Sequence, residues 1–326
     1  MPPDRTTSRI GPLDDDDRPV VIEVRDLVRR FGPQTVLDGV TLDVRRGETM
    51  VVMGGSGCGK STLLRHLTGS LQPTSGEIRV FGERIEELDE NELARMRRRV
   101  GVLYQSGALF NSMTIADNVA LPLREHTTLD EAIIDIQVKI KLELVGLREH
   151  AEKLPAQISG GMKKRAGLAR ALALDPEILY YDEPSAGLDP VTSAEIDQLI
   201  VALTRQLGVT SVVVTHEMDS AFTIADRMVM LDKGRVLKVG TRDEFDAIRR
   251  MTGEEAASLT ESEQIVRQFL RGDAIGPITE RRTRDNYAED LLRRAHPTVT
   301  VFPALFPSRR ASSKSEDLPP DADAKS

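Results

Sequence analysis

Three features of the chain predict an α/β fold with a sheet core. Apolar strands alternate with helical runs, which implies parallel strands with helices packed on their faces. One strand leads through a glycine loop into a helix, and a later strand ends on two adjacent carboxylates. Open α/β sheets hold their ligands at that end of their strands.

The glycine loop is the most specific of the three. Thr49–Met53 reads as an apolar strand, and Gly54, Gly55, Ser56, Gly57, Cys58, Gly59, Lys60, Ser61 and Thr62 follow the G-x-x-x-x-G-K-[ST] pattern. Glycines let successive backbone N–H groups turn inward onto a phosphate, and a helix starting near Gly59 adds its N-terminal partial positive charge. Lys60 is placed to reach the β/γ-phosphates and Ser61 to reach a Mg²⁺ ion.

Composition narrows the remainder. With 326 residues and 40% hydrophobic content, the chain can form one large α/β domain with extensions or two modest domains. The single cysteine, Cys58, lies inside the loop, so no disulfide framework is expected and a reducing compartment is. No run approaches the ~18 apolar residues of a membrane span, and charged Asp4 and Arg5 stand where a signal peptide has an apolar core. A net charge of −8, no tryptophan and few aromatics argue against a nucleic-acid partner.

Residues 1–19, with the Asp14–Asp17 run, read as a disordered lead-in. Val20–Val24 and Val40–Val44 alternate like strands around a turn at Phe31-Gly32, and Gly76–Phe81 is a further short strand. Glu90–Arg99 is a polar helix and Val100–Tyr104 a strand ending at Gln105. A helical subdomain over about residues 106–175 follows, with one helix ending at Leu121-Pro122, one from Asp130 to Val145, a loop from Pro155 to Gly161, and a helix over Met162–Leu174. Glu177–Tyr181, Val191–Leu207, Ser211–Thr215, Glu217–Ala225 and Arg227–Leu231 complete the alternation.

Strand Ile178–Tyr181 delivers Asp182, suited to the Mg²⁺ shell, and Glu183, suited to polarising an attacking water. Ser159 is a good N-cap, and Gly160-Gly161 leave the first helical N–H groups open to a phosphate from outside. A merely structural helix start leaves unexplained the glycine pair's cost of roughly 1 kcal/mol per residue. Two such anion sites share one nucleotide only if they come from two subunits. His216 follows a β-branched strand at the edge where phosphates are expected, and a neutral imidazole can hydrogen-bond a γ-phosphate.

The order of phosphate loop, Gln105, Ser159-Gly160-Gly161, Asp182-Glu183, Ser185-Ala186-Gly187-Leu188-Asp189 and His216 resembles the ATP-binding subunits of ABC transporters over about residues 20–245. The resemblance implies a P-loop NTPase fold of ABC type, with a mixed sheet core, an inserted helical subdomain and a C-terminal helical extension. It makes Phe31 the aromatic that stacks on adenine and Gln105 a metal ligand facing the membrane partner. Ser159, Gly160, Gly161 and Met162 become the signature that contacts the partner subunit's ATP, Leu188 and Asp189 the D-loop, and Glu183, His216 and Gln105 the catalytic set. Ser61, Gln105 and Asp182 are then the Mg²⁺ ligands.

Ile158 and Met162 depart from the usual Leu and Gln of that signature. Together with Gly107–Phe110, Leu121–His126 and Val266–Gly272, they make the chain similar to the ATPases of Mla/Mce-type lipid transport. That resemblance implies a homodimer of ATPase subunits, an integral membrane permease, a substrate-binding MCE-type protein, and a peripheral place on the cytoplasmic face of the inner membrane. Alternatives are a subunit of an amino-acid or other solute importer, and a soluble ABC ATPase acting on nucleic acid or ribosomes. Residues 246–278 read as a helical extension, with Ile265, Phe269 and Leu270 forming a face that needs cover either from the chain's own domain or from the partner subunit, which the resemblance favours. Residues 279–326 read as a mostly disordered tail, apart from the apolar stretch Val299–Phe306.

Overall fold

Strands that carry apolar residues on both faces form the central layer of the protein. A computed structural model describes residues 18–279; the lead-in up to residue 17 and the tail from residue 280, with Val299–Phe306, lie outside the described residues. In chain order the first half contains β1 (Val20–Phe31), β2 (Gln34–Arg45), β3 (Thr49–Gly54), α1 (Lys60–Leu67), β4 (Ser75–Val80), β5 (Glu83–Arg84), α2 (Glu90–Arg98), β6 (Val100–Leu103), α3 (Ile115–His126) and α4 (Glu131–Leu144). There follow α5 (Gly160–Ala171), β7 (Ile178–Asp182), α6 (Pro190–Leu207), β8 (Thr210–Val214), α7 (Met218–Ile224), β9 (Arg227–Asp232), β10 (Arg235–Thr241), α8 (Arg242–Arg250), α9 (Gly253–Ala257) and α10 (Glu261–Arg271).

The main sheet has the order β10-β9-β3-β8-β7-β6, with β10 antiparallel to β9 and the other neighbours parallel. It is the mixed sheet that the sequence implies. Strand β3 sends Val51 and Met53 into one hydrophobic cluster and Met50 and Val52 into another, and β7 divides Leu179 and Tyr181 from Ile178 and Tyr180 in the same way. The first cluster is completed by the helical subdomain and by α6 and α7. The second is completed by α1 and by a separate antiparallel sheet of order β2-β1-β4-β5. Burial on both faces is what parallel strands require.

Two expectations are corrected, and one open alternative is decided. Helix α3 does not stop at Leu121-Pro122 but runs on to His126. Its buried stripe of Ile115, Val119 and Leu123 straddles the proline. Burying Val119 and Leu123 contributes roughly 1.5–3 kcal/mol each, which offsets the roughly 3 kcal/mol of an interior proline. The signature helix begins at Gly160 rather than Met162, because Ser159 caps it by accepting the Met162 N–H at 3.2 Å. The alternative concerns the surface that covers the extension. The face of α10 is covered within the single chain: Ile265, Val266 and Leu270 are buried, and Val266 and Leu270 join the cluster that holds Phe245 and Ile248 of α8. Helix α10 therefore docks on its own domain, and Phe269 is left only partly buried at its edge.

Leu270→Ala is accordingly expected to lower the unfolding free energy by about 2–5 kcal/mol in nucleotide-free, monomeric protein, read by urea denaturation. A loss that appears only where ATP has driven dimerisation would return the helix to the partner subunit.

Candidate functional site

The ends of four parallel strands converge on one edge of the main sheet. Register places Val52 of β3 opposite Val214 of β8, Val214 opposite Asp182 of β7, and Tyr181 opposite Leu103 of β6. The residues just past those ends are Gly54 to Gly59, His216, Glu183 and Gln105, so the pairing brings together side chains that lie more than 150 residues apart in sequence.

In the glycine loop, Gly54 has φ +147°, and a Cβ there would overlap the Leu231 carbonyl oxygen and lie 2.6 Å from Cys58 Sγ. Lys60 folds back over the loop, its Nζ donating to the Gly54 and Gly55 carbonyls at 2.8 and 3.2 Å. Its ammonium thus sits over the loop on carbonyls that an incoming phosphate can replace. Cys58 is buried, and burial pushes its thiol up, so it stays protonated and a poor nucleophile.

Ser61, in the first turn of α1, lies near enough to the Asp182 carboxylate to draw its pKa down. Burial, and then repulsion from Glu183, push the Asp182 carboxyl up, against the opposing pull of Ser61, Arg65 and Lys164. A cation bound beside Asp182 would relieve both of the raising effects. Among the described residues no group of three His, Cys, Asp or Glu side chains forms a metal cage. That donor set fits Mg²⁺, which is commonly held by one or two protein oxygens together with substrate phosphates and water.

Glu183 adopts a left-handed backbone, φ +50°, uncommon for a residue with a side chain. Its N–H donates to the Val214 carbonyl at 2.9 Å, and its carboxylate accepts from the His216 N–H at 3.3 Å and lies 2.9 Å from His216 Nδ1. The Glu183 side chain is 12% exposed and that of His216 58%, so the pair stands at the mouth of the edge. Gln105 is exposed on the loop after β6. Phe31, 44% exposed at the end of β1, has the Arg29 guanidinium 4.4 Å from its ring centroid.

Helix α5 presents Ser159 and Gly160 to solvent, whereas Gly161 is buried. A Cβ on Gly161 would overlap the Thr192 Cγ2 methyl of α6. Thr192 is itself fixed by Asp189, which accepts from the Val191 and Thr192 N–H groups at 3.1 and 3.0 Å and from the Thr192 hydroxyl at 2.6 Å. Gly161 thus has a packing role that the sequence reading did not assign it, and Leu188-Asp189 and the signature form one packed unit through Thr192. Met162 packs partly into the core.

Sequence reasoning passed over Lys164. It lies on the buried side of α5 with Gly161 and Leu168, and its Nζ donates to the Glu183 carbonyl at 2.8 Å. A lysine at a core position of that helix was the available signal.

A family model described as "ABC transporter" matches residues 37–186. The chain is 42% identical over 311 residues to a probable ribonucleotide transport ATP-binding protein, mkl, of Mycobacterium leprae, covering 90% of this chain and 86% of the relative. It is 40% identical over 272 residues to the intermembrane phospholipid transport system ATP-binding protein MlaF of Escherichia coli K12, covering 83% and 96%. Among solved structures, a dimeric ATP-binding cassette in a post-hydrolysis state bound to ADP and Pi matches at 31% identity and TM-score 0.63, over 68% of this chain and 98% of that one.

Gly161→Ala is expected to destabilise the fold by about 1–3 kcal/mol through overlap with Thr192. Adding Thr192→Ser, which removes the methyl and keeps the capping hydroxyl, should recover most of that loss in urea titrations. An additive pair would show that the two helices do not meet there.

Proposed function

The chain belongs to the ABC transporter family of ATP-binding proteins, and from that premise we propose that it powers transport of phospholipid or a related lipid as the ATPase subunit of a membrane transporter. The observation that carries the catalytic part of this reading is the shared strand edge, where Ser61, Asp182, Glu183, Gln105 and His216 surround the phosphate loop. The lipid part rests on the MlaF relative and on Ile158, Met162 and the segments Gly107–Phe110, Leu121–His126 and Val266–Gly272. The mkl relative's name makes ribonucleotide transport the second reading.

The residues divide the work as follows. Lys60 exchanges its two carbonyls for β- and γ-phosphate oxygens, and the loop N–H groups from Gly55 to Thr62 hold the remaining phosphate oxygens. Phe31 offers adenine the ring face that Arg29 does not cover. Ser61, Asp182 and Gln105 hold Mg²⁺, which supplies neutralisation of the charge developing on the phosphates. Glu183 orients a water for in-line attack and accepts its proton, and His216 holds that carboxylate until the nucleotide arrives. Ser159 and the Gly160, Gly161 and Met162 N–H groups of one subunit face the γ-phosphate held by the other, so hydrolysis requires a two-fold dimer in which Leu188 and Asp189 lie at the seam.

No helix among the described residues is long and apolar enough to cross a membrane. On this reading an integral permease supplies the passage, the subunit sits peripherally on the cytoplasmic face of the inner membrane, and an MCE-type protein presents the lipid.

Glu183→Gln is expected to bind ATP normally and slow turnover by about 10²–10⁴, leaving an ATP-bound dimer in gel filtration; near-normal hydrolysis would remove Glu183 from its role. For the transported substrate, the full complex purified through this subunit should carry a permease and, by mass spectrometry, bound phospholipid. Stimulation of its ATPase rate by ribonucleotides and not by lipid would replace the lipid reading with the second one.

A further inference from the structure

Lys164 is 5% exposed, and its Nζ donates to the Glu183 carbonyl at 2.8 Å, within the field of the Glu183, Asp182 and Glu217 carboxylates. Burial pulls its pKa down while those three carboxylates hold it up. A buried ammonium costs several kcal/mol unless it is paired and hydrogen-bonded. A methionine or leucine would fill the same place on α5 without that cost, so packing alone does not account for the charge.

What the charge touches is the main chain of the hydrolytic carboxylate. Glu183 is held in the left-handed region at φ +50°, which is strained for a residue with a Cβ. Its N–H is fixed by Val214 and its carbonyl by Lys164 Nζ at 2.8 Å, with the Ala186 N–H a weaker second donor at 3.3 Å. Removing Lys164 leaves that carbonyl with the weaker donor and frees the peptide to relax, and the carboxylate beyond it turns with the peptide.

Lys164 stands five residues after Ser159 on the same helix, so any displacement of the start of α5 reaches the Glu183 carbonyl through one rigid turn. We propose that Lys164 is a positioning residue for hydrolysis, anchoring Glu183 from the helix whose N-terminus meets the partner subunit's ATP. This rests on the proposed dimeric arrangement. It adds to that arrangement a physical link, inside one subunit, between closure on one nucleotide and the aim of the carboxylate at the other.

The test uses the full-length chain with Mg-ATP, comparing Lys164→Met, Lys164→Gln and Glu183→Gln. Misplacement of a reacting group by about 1 Å costs about 10²-fold, so Lys164→Met should lose about that much in kcat. Its KM for ATP should stay within about twofold, because nucleotide contacts are untouched. Lys164→Gln keeps a donor for the carbonyl without the charge and should fall between Lys164→Met and the wild type. Wild-type kcat in folded Lys164→Met overturns the inference, as does a parallel loss in KM, kcat and melting temperature that Lys164→Gln does not relieve. If Lys164→Met does not fold, wild-type kcat in Lys164→Gln overturns it instead. Glu183→Gln separates the two levels: normal hydrolysis in that variant sinks the proposed role of Glu183 itself. An inactive Glu183→Gln beside a fully active Lys164→Met sinks only the role of Lys164.

Discussion

The pairing of β8 with β3 on one side and β7 on the other sets the height of every group at the site. Val214 stands level with Val52 and with Asp182, so the loop after β3, the carboxylates after β7 and the histidine after β8 begin at one edge. Side chains alternate between faces along a strand, and a slip of one residue would exchange them. In β7 such a slip would send Tyr180 and Tyr181, both fully buried, into each other's clusters and move Asp182 away from Ser61. The two tyrosines therefore protect the chemistry as well as the core. A register error costs two large misfitted side chains before it displaces Asp182.

Much of this edge was legible in the chain, because its signals are local. A glycine loop between a strand and a helix, an apolar strand ending in Asp-Glu, and a capped helix start each lie within a dozen residues. What escaped depended on contacts made elsewhere. The continuation of α3 past Pro122 is decided by partners on α4 and α5, and the docking of α10 by Phe245 and Ile248. Strand β10 was missed for another reason. It follows a two-residue turn, Lys233-Gly234, with φ values of +45° and +80°, and lysine is not a residue that announces a turn of that kind. Gly161 shows the intermediate case, where the sequence singles out the residue and the structure supplies a packing cause for it, Thr192.

Electrostatically, the edge is arranged around charges that need one another. Asp182 and Glu183 are adjacent carboxylates that repel, and Lys164 and Arg65 moderate the repulsion from opposite elements. Lys60 takes no part in that balance, since its ammonium rests on backbone carbonyls. It is thus available to an incoming anion without stripping a carboxylate of its partner. Exchanging carbonyls for phosphate oxygens replaces neutral acceptors by charged ones, so each bond gains a direct ion–ion attraction.

His216 imposes a choice on the same edge. A carboxylate only accepts hydrogen bonds, so the 2.9 Å contact with Glu183 requires the proton on Nδ1. In the neutral ring Nε2 is then an acceptor, and it has nothing to donate to an ionised γ-phosphate. A neutral His216 therefore serves Glu183 or the phosphate, not both, which refines the expectation that a neutral imidazole simply bonds the nucleotide. To donate to the phosphate the ring has to turn from Glu183. On the proposed function, Glu183 is then released for water at the moment substrate is bound, while its backbone stays fixed by Val214 and Lys164. The exposure of the His216 side chain, against the burial of Glu183, makes the histidine the partner that can move.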